Sequence, residues 1–288
     1  MQRSGQTDYI ARDYVGDGVF TSGIEGPATG PDGALYLVNF AREGTIGRVA
    51  EGRATLFATL PAGSVGNGIR FAADSRMLVA DYKGHRILAV DAGGKVSVYA
   101  DLPGAHQPND IAIAPDGTVY ASDPDWRTGS GRIWRIDRQG QASILEDGMG
   151  TTNGIEVSPD GGRLYVAESV QRRIWAYDLG AGGGISGKRL FARFADHGLD
   201  GMRCDREGNL YVTRHGAGTV AVLASDGAIL REVRLKGRLP SNIAFGGRDG
   251  RTAYVTLQDR GAIETFHSAV PGREHGGKQH PLRRRSSR

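Results

Sequence analysis

Residues 152–168 read Thr152-Asn153-Gly154-Ile155-Glu156-Val157-Ser158-Pro159-Asp160-Gly161-Gly162-Arg163-Leu164-Tyr165-Val166-Ala167-Glu168. Two runs rich in apolar and β-branched residues flank a Pro-Asp-Gly turn, which predicts a strand, a tight turn and a returning strand. The pattern recurs along the chain, with copies beginning at Glu25, Asn67, Asn109, Asn153, Asp200 and Asn242 and spaced by 42, 42, 44, 47 and 42 residues. Each copy has its turn (Pro-Asp-Gly at 31–33, Ala-Asp-Ser at 73–75, Arg-Glu-Gly at 206–208) and a second apolar strand such as Leu35–Val38 or Leu210–Thr213. A small sheet repeated with a period in the low forties cannot bury its faces alone, so six copies predict an all-β, six-bladed β-propeller of four-stranded blades. The sixth copy stops one strand short near Phe266. The strand-like segment at 9–20 supplies the missing strand, so the N-terminal strand is expected to close the ring and remove two exposed edges.

Composition agrees with this reading. The 45 glycines suit a fold of many tight turns. The formal charge of +4 is unevenly spread: residues 267–288 carry six Lys/Arg and one Glu, leaving 30 Lys/Arg against 31 Asp/Glu in the body, a net −1. The body is therefore not expected to bind nucleic acid. The expected organisation is a propeller over 1–268 and a basic, patternless, disordered tail over 269–288. Cys204 is the only cysteine, the N-terminal residues lack an apolar leader pattern, and no run approaches transmembrane length. A cytoplasmic protein, monomeric or weakly self-associating, is the expectation. Trp134 and Trp175 share one blade position and read as inter-blade core. Gly180-to-Gly187 contains G-x-G-x-x-G but no βαβ context, and reads as a loop.

The six repeat-aligned positions each stand just before an innermost strand, at one mouth of the central channel. All six are carboxylates or carboxamides. Asn at a loop–strand junction has a local explanation, since it caps backbone and tolerates left-handed geometry, and this reading suffices for Asn67 and Asn242. It does not explain Glu25 and Asp200 together, because two carboxylates at one narrow opening repel unless a cation neutralises them. Glu25, Asn153 and Asp200 offer only oxygen donors and two negative charges. That set suits one divalent metal ion, Ca²⁺, Mg²⁺ or Mn²⁺, with Zn²⁺ possible but not singled out.

At this point the sequence resembles the SMP-30/gluconolactonase/LRE family of six-bladed propellers. Glu25-Gly26-Pro27, Pro108-Asn109-Asp110, Asn153-Gly154-Ile155 and Asp200-Gly201-Met202 match its signature in order and spacing, over about residues 10–266. The resemblance implies a divalent metal on Glu25, Asn153 and Asp200, a ligand or substrate contact from Asn109, and Asp200 as general base. It also implies hydrolysis of sugar-acid lactones and other cyclic esters, some relatives cleaving organophosphate esters. A cation could polarise a lactone carbonyl and stabilise the tetrahedral oxyanion. The attacking water could lose its proton to Asp200 or be held by the ion, and the sequence leaves both routes open. No G-x-S-x-G elbow supports a serine mechanism.

The ends of the second strands and the loops after them are expected to wall the site, including Asp123, Glu168 and Arg214. Trp126, Arg127 and Arg214 are candidate substrate contacts, with an exposed loop, or neutralisation of Asp123 or Asp200 by Arg214, as the plainer alternatives. His106 and His197 read as loop histidines. Gln107 stands where animal members acting on aldonolactones carry a substrate-contacting arginine, and Thr152 where proline often precedes Asn-Gly. The expectation is a metal-dependent lactonase acting on a small molecule. The rivals are an esterase or organophosphate-ester hydrolase on the same site, and a non-catalytic propeller that binds a partner.

Overall fold

The computed structural model describes residues 8–275. Six four-stranded antiparallel sheets follow one another around the ring. Blades 1 to 5 each use four consecutive strands. Blade 6 takes three strands from the C-terminal end of the repeat and its outermost strand, Arg12–Val15, from the N-terminal end. The pairs Arg12↔Thr265, Asp13↔Glu264 and Val15↔Ile263 close the ring. No helix among the described residues is long and apolar enough to cross a membrane, and the loop at Gly180 holds only a three-residue 3-10 turn.

The turns form where the sequence places them. In five blades the turn ends on a glycine at positive φ (Gly33, Gly117, Gly161, Gly208, Gly250), the region a side chain disfavours. Blade 2 puts Ser75 there at φ 68°. Apolar residues of facing blades fill six separate wedges, such as Tyr36, Val38, Ile69 and Val79 between blades 1 and 2. A fully buried aliphatic side chain there contributes about 1.5–3 kcal/mol. Trp134 is buried between blades 2 and 3. Trp175 packs only partly against its wedge, its ring flanked by Arg173 and Lys188 at 4.8 and 4.6 Å.

The innermost strands are Phe20–Thr29, Gly66–Phe71, Ile111–Ile113, Thr152–Val157, Gly198–Cys204 and Pro240–Gly246. They all run from the mouth that carries the six polar positions toward the opposite mouth. At that opposite mouth the chain continues past residue 268. Gly272 bridges to Asp205, and residues 269–275, which the sequence placed in the tail, lie against the propeller. Residues 276–288, the rest of that expected tail, lie outside the described residues, as do 1–7.

Candidate active site

Glycines following the key positions bring the inner strands close. A Cβ on Gly26 would lie 2.0 Å from the Asn67 carbonyl oxygen, one on Gly154 2.2 Å from that of Asp200, and one on Gly201 2.1 Å from the Asn242 carboxamide. Only glycine permits this approach, which narrows the channel until the side chains meet. Glu25, Asn109, Asn153 and Asn242 are buried, whereas Asp200 and Asn67 are half-buried.

Glu25 Oε2 accepts hydrogen bonds from the Gly26 amide at 2.5 Å and from Asn242 Nδ2 at 2.9 Å. Asn242 turns its carbonyl oxygen to the Ile243 amide, so it holds Glu25 and does not offer oxygen to the opening. Burial, followed by the negative charge of Asp110, pushes the Glu25 carboxyl up to about 7. Burial, then the charges of Glu25 and Asp110, raises the Asp200 carboxyl well above its ordinary range, against the hydrogen bond it receives from Asn153. The buried carboxamide oxygens of Asn153, Asn67 and Gln107 have no hydrogen-bond partner among the described residues. Two carboxyls resisting ionisation beside an unpaired carbonyl oxygen make a donor set that suits a hard divalent cation.

A second tier lies three residues further along the inner strands, where Arg70, Glu156 and Arg203 point into the channel beside Asp110. Arg70 Nη1 contacts Asp110 Oδ1 at 3.2 Å, and Arg203 Nη1 lies 3.6 Å from Oδ2. Asp110 Oδ2 is also 3.4 Å from Asn242 Nδ2. Burial, then the neighbouring Arg70 charge, pushes Arg203 down to about 10, so it remains charged at neutral pH. The sequence reading missed this tier. Its signal was the aligned set Ala28, Arg70, Ala112, Glu156, Arg203 and Phe245, three charged residues on inner strands that a plain repeat would keep apolar. Together with Arg273 and Glu274 at the far mouth, the channel holds five carboxyl and three guanidinium groups, an excess of two negative charges when all are ionised.

The wall residues behave differently from the channel residues. Asp123 accepts from the His106 and Gln107 amides at 2.8 and 2.6 Å and from Trp134 Nε1 at 3.0 Å, while Glu168 accepts from Gly150 and pairs with Arg173. These acids hold the loops that lead into the inner strands. Arg214 is 4% exposed and meets neither Asp123 nor Asp200. It pairs with Asp196 at 2.6 Å and Glu232 at 3.0 Å and stacks on Phe194, so it braces the loop leading to Asp200. Trp126 and Arg127 lie on an exposed hairpin at the same mouth, Trp126 at 46% exposure. His106 pairs with Arg132, and His197 is an exposed loop residue at φ 50°.

Comparison with known proteins places the chain in a family. The SMP-30/Gluconolactonase/LRE-like region matches residues 24–259. A gluconolactonase of Zymomonas mobilis is 29% identical over 216 residues, 66% of this chain and 60% of that protein. A 6-deoxy-6-sulfogluconolactonase of Pseudomonas putida is 31% identical over 154 residues, 51% of this chain and 53% of that protein. The matches thus span between half and two thirds of these relatives' lengths. Among solved structures, a calcium-binding protein, regucalcin, of Agrobacterium tumefaciens superposes with a TM-score of 0.77 at 23% identity, over 93% of this chain and 95% of that one. The matched region contains the six repeat-aligned positions and Arg70, Asp110, Glu156 and Arg203, and the chain belongs to the SMP-30/gluconolactonase/LRE-like family.

Proposed function

We propose that this chain hydrolyses the lactone of a sugar acid, with one divalent cation held by Glu25, Asn153 and Asp200. The observation that carries the reading is that Glu25 and Asp200 meet at one opening with no ion-pair partner, both carboxyls raised, beside Asn153, whose carboxamide bonds Asp200 and whose oxygen is left unpaired. The names of the gluconolactonase and sulfogluconolactonase relatives support the substrate class. A cation bound there would supply Lewis-acid polarisation of the lactone carbonyl.

The chain's own residues account for the remaining requirements. Asp200, half-buried at the opening and ionised once a bound cation offsets the charges that raise it, accepts a proton from the attacking water as the new carbon–oxygen bond forms. It then returns that proton to the ring oxygen as the ester bond breaks, giving the open hydroxy acid. Asn109 donates from its carboxamide to a substrate oxygen. The unpaired amide oxygens of Asn67 and Gln107 accept from ring hydroxyls, which selects a hydroxylated substrate over a bare lactone. Trp126 offers an apolar face at the rim.

One observation favours a second reading. Val170 is 62% exposed on the hairpin beside that of Trp126, the two hairpins being joined by the hydrogen bond from Gln171 to the Gly129 carbonyl. An apolar lip of this kind suits an ester or organophosphate ester with an aliphatic group. Initial rates on glucono-1,5-lactone and on δ-valerolactone decide between them: the first reading expects the hydroxylated ring to be preferred, and the reverse preference would refute it.

A further inference from the structure

The far mouth of the channel is closed by the chain itself. Pro271 accepts from the Arg206 amide, the Gly272 amide donates to Gly250, and the Arg273 amide donates to Cys204 at the end of the blade 5 inner strand. Arg273 Nη2 donates to the Ile113 carbonyl at 3.0 Å, at the end of the blade 3 inner strand. Its Nε lies 2.9 Å from Glu156 Oε1. Glu274 Oε1 is 3.9 Å from both Arg70 and Arg273. The Glu274 side chain is 49% exposed, so its carboxylate sits at the solvent end of the channel. The segment sits tightly: a Cβ on Gly272 would lie 2.3 Å from that of Phe245.

These contacts form an unbroken series through the channel. Glu274 meets Arg70, Arg70 meets Asp110, Asp110 meets Asn242, and Asn242 donates to Glu25. Arg70 and Arg203 are two like charges confined beneath the opening, and Asp110 alone cannot balance both. The second acid that faces Arg70, Glu156, is engaged from below by Arg273. We propose that Pro271–His275 is a plug for the central channel and that Glu274 and Arg273 are positioning residues. Through Arg70, Asp110 and Asn242 they fix the orientation of Glu25, 249 residues away from Glu274 in sequence. The positioning claim rests on the reading of Glu25 as a cation donor. The plug claim does not.

The test uses the full chain with Gly272→Val, which cannot seat against Phe245, and with Glu274→Gln, which keeps shape and removes charge. Calcium binding to chelator-stripped protein is followed by titration calorimetry, and amide hydrogen exchange is followed at 111–113 and 201–204. Gly272→Val is expected to weaken calcium binding about tenfold, the lower end of the range for partners behind a metal donor, and Glu274→Gln, half exposed, less, about threefold. Exchange at both strand ends should quicken in Gly272→Val, with the unfolding transition still cooperative. Calcium affinity within about twofold of the parent in both variants would overturn the positioning claim, and unchanged exchange in Gly272→Val would overturn the plug. Should Gly272→Val fail to fold, Glu274→Gln decides the positioning claim, and exchange at 111–113 in Arg273→Ala, which lacks the donor to the Ile113 carbonyl, decides the plug. A parent that binds no divalent ion would refute the cation reading and the positioning claim with it, leaving exchange to judge the plug.

Discussion

The two tiers of the channel are built from similar charges and solve opposite problems. At the lower tier, Asp110, Glu156 and Glu274 face Arg70, Arg203 and Arg273, and every carboxylate has a guanidinium within 4 Å. At the upper tier, Glu25 and Asp200 have no ion-pair partner: they meet carboxamides and backbone amides, and feel each other's charge and that of Asp110. Both have raised carboxyls, and Asn153, Asn67 and Gln107 keep unpaired oxygens. Both tiers keep buried atoms without a hydrogen-bond partner, Arg70 Nε and Nη2 and Glu156 Oε2 in the lower one, so the difference is one of charge. The lower acids are matched by guanidinium groups, the upper acids are not, and that is where a cation belongs. On the proposed reading the lower tier is the support and the upper tier is the reactive end.

Substitutions can break this contrast. Asp200→Asn leaves the lower tier intact and should reduce lactone kcat/KM by about 10³-fold or more, as removal of a general base does. Metal-free stability should not fall, since one of two repelling carboxyls is gone; loss of the folded state in a melt would instead make Asp200 structural. Asp110→Asn attacks the support. It leaves Arg70 and Arg203 without their shared carboxylate and should destabilise by about 3 kcal/mol, read as a lowered denaturation midpoint.

Stability against pH sharpens the contrast. Glu25 is raised from 4.5 to about 7 in the folded chain, so between those values the native state binds more protons than the unfolded one. Its contribution is therefore whole at acid pH and is lost as pH rises from 4.5 toward 7, and Asp200 acts with the same sign. Metal-free protein should lose denaturation midpoint over that window, Glu25→Gln should flatten the loss, and added calcium should reverse it at the alkaline end. The smallest effect is expected at Asn67→Leu, with kcat/KM about tenfold lower on glucono-1,5-lactone and unchanged on δ-valerolactone. Equal losses on both would remove Asn67 from hydroxyl recognition.

The fold was legible because the repeat writes its turn and second strand six times, and ring closure followed from the strand missing after Phe266. The upper tier was legible for the same reason: one residue class recurs at one aligned position. The lower tier hides because its aligned position holds alanine, arginine, glutamate and phenylalanine in turn, which reads as variation until the strands are seen to converge. Arg273-Glu274 hides for another reason. A charged pair in a polar, basic stretch looks solvated, and nothing local announces that it docks on Ile113 and Glu156. Arg214 misled in the opposite sense, since its partners Asp196 and Glu232 lie 18 residues to either side, on a loop and an outer strand.

The most direct test of the central claim is acid release from glucono-1,5-lactone by exhaustively chelated protein, with Ca²⁺, Mg²⁺, Mn²⁺ or Zn²⁺ restored one at a time. The upper-tier reading predicts that turnover disappears on chelation, returns with a divalent ion and stays absent in Asp200→Asn. Turnover that survives chelation, or its absence on every lactone while an ion is bound, would contradict it.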